Sequence, residues 1–107
     1  MYFIEETEVS KKTIAPGVDI RVISGEKAQM SFVSLAPGSQ VPMHRHPHEQ
    51  IGVVMEGSFD LVVDGQRKTL GKGDTYVIPG GVEHGVVEVK TPSVALDIFS
   101  PPREEYR

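Results

Sequence analysis

The chain contains no cysteine. That excludes a disulfide framework and a thiolate metal site, so any metal must sit on histidine, glutamine or carboxylates. Basic residues are in deficit: 11 Lys and Arg stand against 15 Asp and Glu, a net charge of −4. A broad nucleic-acid footprint needs a basic face, so nucleic acid is not an expected partner. An anionic small molecule remains compatible, because one metal and one arginine can reverse the local field. No segment approaches the ~20 apolar residues of a membrane helix. The start, Met1-Tyr2-Phe3-Ile4-Glu5-Glu6, has neither the basic residues nor the apolar run of a signal peptide. The expectation is a cytoplasmic protein without a membrane partner. Helical periodicity beyond a turn, internal repeats, low-complexity runs and linkers are also missing. The 107 residues are expected to form one domain, which at this size buries roughly two-thirds of its unfolded surface.

What is present is turns and short alternating runs. There are 11 glycines and 8 prolines, and apolar residues recur with period 2 rather than 3.6. Val18–Val22 alternates cleanly. Ala28–Leu35 is a second strand candidate. Val41–His46 is a third, and Pro42 suits it to an edge. Gln50–Met55 and Ser58–Val63 are expected to pair through Glu56-Gly57. Asp64-Gly65 is a hairpin signal, since a type I′ turn needs positive φ, and Gln66–Leu70 returns from it. Thr75–Ile78, His84–Val89 and Ser93–Phe99 complete the set. Short strands at this spacing predict an all-β sandwich or small barrel.

The chemistry concentrates in two places. Three of the four histidines, His44, His46 and His48, fall within Pro37–Gly57, and the fourth, His84, follows Pro79-Gly80-Gly81. On an extended strand, residues two apart share a face. His44 and His46 are therefore expected to project together, with Gln50 at the same parity and Glu49 at the opposite one. Imidazole and oxygen ligands suit one divalent first-row metal. The alternative is that these are polar residues in turns; were Gln50 and three histidines to form the shell, its neutral ligands would leave the ion its full formal charge, suited to binding anionic oxygen as a Lewis acid. The second place is the last strand and the residues after it. Asp97 and Phe99 share a face there. If that face lines the barrel, Asp97 is a candidate general acid/base, and Arg103 can fork onto a carboxylate. The alternative is a surface salt bridge and a solvated tail.

These residues carry a resemblance. Gly38-x5-His44-x-His46-x3-Gln50-x6-Gly57 is similar to the first cupin motif, and Gly73-x5-Pro79-x-Gly81-x2-His84 to the second. The chain departs from the family twice: Gln50 replaces the usual Glu, and Glu88 the usual Asn. The resemblance implies a jelly-roll (double-stranded β-helix) cupin barrel. Residues 1–15 are expected as an N-terminal arm and 100–107 as a C-terminal tail that frays or folds over the barrel. Asp97-x-Phe99-Ser100-Pro101-x-Arg103-Glu104 more narrowly resembles the small pectin-degradation cupins. This implies metal ligands at His44, His46, Gln50 and His84, holding Ni, Zn, Mn or Fe. It implies site residues at Asp97, Phe99 and Arg103. His48, at the parity of His46, is a substrate-binding candidate that either orients a ligand or a substrate oxygen or stands at the pocket rim. The implied activity converts 4,5-unsaturated monouronates from pectin or alginate to linear keto sugars, an isomerase-type reaction. Two readings compete: an iron-dependent cupin dioxygenase, and a cupin that binds a sugar without changing it. A homodimer is expected from the exposed edges of a lone small barrel and the apolar Tyr2-Phe3-Ile4.

Overall fold

In the computed structural model, which describes residues 2–107, the chain folds as ten strands. They are β1 (Ser10–Ala15), β2 (Val18–Ser24), β3 (Gln29–Leu35), β4 (Val41–His44), β5 (Glu49–Glu56), β6 (Ser58–Val63), β7 (Gln66–Gly71), β8 (Thr75–Ile78), β9 (His84–Val89) and β10 (Ser93–Ser100). Two antiparallel sheets result, in the orders β1-β2-β3-β10-β5-β8 and β4-β9-β6-β7. Helical structure among the described residues is limited to two short 3-10 turns, Glu6–Glu8 and Glu104–Tyr106, so no helix there is long and apolar enough to cross a membrane.

Alternation supplies the core. Val18, Ile20, Val22, Val33, Leu35 and Val54 point inward from the larger sheet and meet Phe59, Leu61, Leu70, Val86 and Val89 from the smaller. Each such side chain, fully buried, contributes about 1.5–3 kcal/mol. Pro42 lies on β4, an edge strand of the smaller sheet, where its missing N–H costs no ladder bond. Asp64 and Gly65 take φ of 49° and 75° and close the β6–β7 hairpin.

Three expectations need correction. β5 and β6 do not pair through Glu56-Gly57. β5 lies between β10 and β8, while β6 lies between β9 and β7 in the other sheet. Gly57, at φ 78°, is where the chain leaves one sheet for the other. A side chain there would run into Pro92 O and Ser93, because Ser93 Oγ accepts from Ser58 N (3.0 Å) and donates to Ser58 O (3.1 Å) at the crossing. Residues 1–15 are not simply an arm. Met1 lies outside the described residues, but Ser10–Ala15 is the edge strand β1, hydrogen-bonded to β2. Finally, the His44 strand stops at His44, and His46 lies in the following loop. Pro47 has no N–H to continue a ladder, and His46 O instead accepts from Gly81 N (2.8 Å).

The tail is tied down across one end of the barrel. The buried Gln29 amide pairs with the Arg103 backbone: Nε2 donates to Arg103 O (3.0 Å), and Arg103 N donates to Oε1 (3.1 Å). Tyr106 then packs edge-on to Phe99, with ring centroids 5.9 Å apart. On the opposite, outward side of the larger sheet, Met30, Phe32, Ile51, Val53, Met55, Val77, Val94, Leu96 and Ile98 remain partly or fully exposed.

Replacing Gly57 by alanine combines a left-handed backbone with a collision against main chain, so stability should fall by about 2–3 kcal/mol. Urea unfolding of Gly57→Ala checks this: the midpoint should drop while the slope stays that of the parent.

Candidate metal centre

β4 and β9 pair so that His44 stands directly opposite His84, and their ring centroids lie 4.3 Å apart. His46 reaches the same point from the loop, its ring centroid 4.9 Å from that of His84. One nitrogen from each of the three rings falls within 4.8 Å of the others. The distribution of protons explains the convergence. His44 Nδ1 donates to Pro42 O (2.8 Å), His84 Nδ1 to Val82 O (2.9 Å) and His46 Nδ1 to His48 O (3.1 Å). A carbonyl can only accept, so each ring carries its proton on Nδ1 and presents a bare Nε2. Burial holds His46 down to about 4, helped by Arg103 and His84, and burial likewise lowers His84. Both rings are therefore neutral near pH 7.

That leaves a proton deficit. His84 Nε2 is buried without a hydrogen-bond partner among the described residues. His46 Nε2 lies 3.1 Å from Gln50 Oε1, and with its one proton already on Nδ1, two lone pairs face each other. Gln50 also pulls the pKa of the neighbouring Asp97 carboxyl down. Lone pairs converging on one point from three imidazoles and an amide are what a divalent ion requires. The residues fit a metal: His44, His46, His84 and Gln50 would hold it, and the carbonyl partners of the three rings would orient it.

Asp97 sits beside this group, buried on β10. Tyr76 Oη donates to its Oδ1 at 2.6 Å. Burial pushes the Asp97 carboxyl up to about 6, against the opposing pull of Tyr76, Gln50 and Arg103. Burial and the aspartate push the Tyr76 hydroxyl well above its ordinary value, so it stays a donor. The pair exists because the intervening residue on β5 is Gly52, where a Cβ would collide with both Asp97 Oδ1 and the Tyr76 ring. Tyr76, Gly52 and Gln29 were not legible as site residues. Their partners come from other strands, and no local spacing marks them.

The remaining candidates separate. Phe99 is buried with its ring 5.6 Å from His46. The Arg103 guanidinium stacks 4.1 Å from the Tyr106 centroid and 5.3 Å from that of Phe99, and its Nε meets Glu105 Oε1 at 3.2 Å. His44, Gln50, His84, Asp97, Phe99 and Arg103 line one cavity between the sheets. His48 is not among its lining residues; its carbonyl, rather than its ring, holds His46. Glu88, where the family usually has Asn, lies on the surface and pairs with Arg67 at 3.3 Å.

Two facing antiparallel sheets with this histidine centre define a cupin, and the cupin domain family matches residues 31–99. The chain belongs to that family. It is 34% identical to the pectin degradation protein KdgF of Dickeya dadantii (strain 3937), over 98% of this chain and 96% of that one. Among solved structures, an RmlC-like cupin from Shewanella frigidimarina NCIMB 400 superposes with a TM-score of 0.89 at 28% identity, covering 100% of this chain and 96% of that one. KdgF from Halomonas sp. superposes at 0.86 with 28% identity, covering 98% and 97%.

The metal reading is checked by elemental analysis of purified protein. The parent should carry one divalent transition metal per chain, and His44→Ala and His84→Ala should lose most of it. Undiminished metal in both variants would remove the site.

Proposed function

We propose that the protein acts in the breakdown of pectin-type or alginate-type polysaccharides, converting a 4,5-unsaturated monouronate to its linear keto form. The observation that carries this is the buried Asp97 carboxyl, hydrogen-bonded by the half-buried Tyr76, beside an all-neutral ligand set, in a chain similar to a pectin degradation protein. The substrate is a cyclic enol ether with a hemiacetal carbon. Ring opening and one proton shift give the ketone, so the reaction is an isomerisation and consumes no oxygen or nucleotide. When bound, a divalent ion on neutral ligands supplies a Lewis acid for the substrate's anionic and hydroxyl oxygens. Asp97 moves the proton, and Tyr76 holds its carboxylate in place. Arg103 takes the substrate carboxylate, its guanidinium plane pre-set by Tyr106 and Phe99. The cavity is about 60 Å³ with the tail in place, room for a few waters. A six-membered sugar ring needs more room than this, so the site must widen to admit it; Arg103 and Tyr106 of the tail are among its lining residues.

The test is incubation with lyase-generated unsaturated monouronate, following the ultraviolet absorbance of the double bond and oxygen uptake together. The absorbance should decay with no oxygen consumed; oxygen uptake matching turnover would favour a dioxygenase instead. Asp97→Asn should lower kcat by roughly 10²–10⁴, the usual effect of losing an acid/base group. Arg103→Ala should chiefly raise KM. Parent rates in both variants would refute these roles.

We further propose that the functional unit is a homodimer formed on the outer face of the larger sheet. Val77 is 63% exposed there, and Tyr2 and Phe3 are 94% and 87% exposed. A stable interface buries ~800 Å² per partner, and this face with Tyr2-Phe3-Ile4 is the apolar surface on the described residues that could supply it. A second copy is the occupant because each chain offers both the face and an apolar segment to lay on it. Light scattering at micromolar concentration should give about twice the 11.7 kDa chain mass. The monomer mass would sink the proposal.

A further inference from the structure

The inner face of the larger sheet carries one polar row. Register sets Ser31 of β3 opposite Asp97 of β10, Asp97 opposite Gly52 of β5, and Gly52 opposite Tyr76 of β8. On one side of it runs an apolar row, Ile20, Val33, Ala95 and Val54. On the other side, toward the tail, lie Gln29, Phe99 and Gln50. Ser31 is therefore at the boundary between the polar end of the cavity and its apolar floor.

Within this row Tyr76 and Asp97 satisfy each other. Ser31 does not share in that bond. It is 1% exposed, its Oγ has no hydrogen-bond partner among the described residues, and it lines the same cavity as His44, His84 and Asp97. An unpaired buried hydroxyl lowers stability. Its inward neighbours on β3 are Gln29, whose amide is spent on Ser24 and the Arg103 backbone, and the apolar Val33, so neither one partners it.

We propose that Ser31 is a specificity-determining residue whose hydroxyl, together with Asp97, brackets one hydroxyl of a sugar acid in the cavity. Directly opposed residues on paired strands have Cβ atoms ~5 Å apart. That is the span in which a single oxygen can bond both neighbours. The two partners are complementary: a ligand O–H donates to the carboxylate and accepts from the serine. The inference rests on the uronate reading and deepens it. It separates hydroxylated ring acids from ring acids lacking the hydroxyl, since a site built for a hydroxyl discriminates by leaving its own groups unpaired.

The experiment compares the metal-loaded parent with Ser31→Ala. With unsaturated monouronate, KM should rise about 5- to 20-fold with kcat nearly unchanged, because one neutral hydrogen bond is removed. Tetrahydropyran-2-carboxylate, a ring acid with no hydroxyl, should inhibit both proteins equally. Ligand-free Ser31→Ala should melt at the parent temperature or a few degrees above it, since an unsatisfied hydroxyl has gone. Metal content should be unchanged. An unaltered KM overturns the inference and leaves the uronate reading standing. A lowered melting temperature assigns Ser31 a structural role instead, and equal weakening of both ligands means only that the cavity was deformed; either result overturns it. A parent that neither turns over the monouronate nor binds D-galacturonate sinks the uronate reading, and this inference with it.

Discussion

Three imidazole nitrogens and one amide oxygen face a common point with no proton between them. Each ring has its hydrogen committed to a backbone carbonyl two residues away: Pro42 for His44, His48 for His46 and Val82 for His84. Burial keeps His46 and His84 from taking a second proton. Lone pairs converging in a buried site call for a cation or a donor between them, and the donor set suits a divalent metal. The chain thus constructs its centre through main-chain geometry at two turns, and the turns have to hold their shape before any metal arrives.

Most of the architecture serves that geometry. β4 and β9 place His44 against His84 by direct pairing. The loop carrying His46 is anchored by Gly81 N on its carbonyl, linking the two histidine-bearing segments. Across the barrel, the larger sheet supplies Gln50, whose oxygen lies against His46 Nε2 and whose amide lowers the pKa of the Asp97 carboxyl. One amide therefore couples the metal ligands to the proposed proton carrier. Because the candidate ligands are all neutral, nothing in such a shell would offset the charge of a bound cation.

The C-terminal tail completes the site through a different device. Gln29 mimics a strand neighbour by pairing its amide with both backbone groups of Arg103. This fixes the main chain and leaves the guanidinium to stack on Tyr106 and Phe99. The substitution of Glu88 for the family's usual Asn costs the centre nothing, because that side chain is on the outer surface with Arg67.

Local chemistry was legible in the sequence. The period-2 runs located most strands, Asp64-Gly65 located its hairpin, and two spaced motifs located the family and the histidines that converge. Each of these signals is contained within a few residues, where chain geometry alone sets which side chains are neighbours. The tertiary structure decided the rest. It placed β5 and β6 in different sheets, made residues 10–15 a strand, moved His46 off its strand, and joined Tyr76 to Asp97 across Gly52. It also set Ser31 beside Asp97 and Gln29 beneath Arg103. All of these depend on the register between segments far apart in the chain. Register is selected by the whole packed core, and a one-residue slip would turn every such side chain to the opposite face.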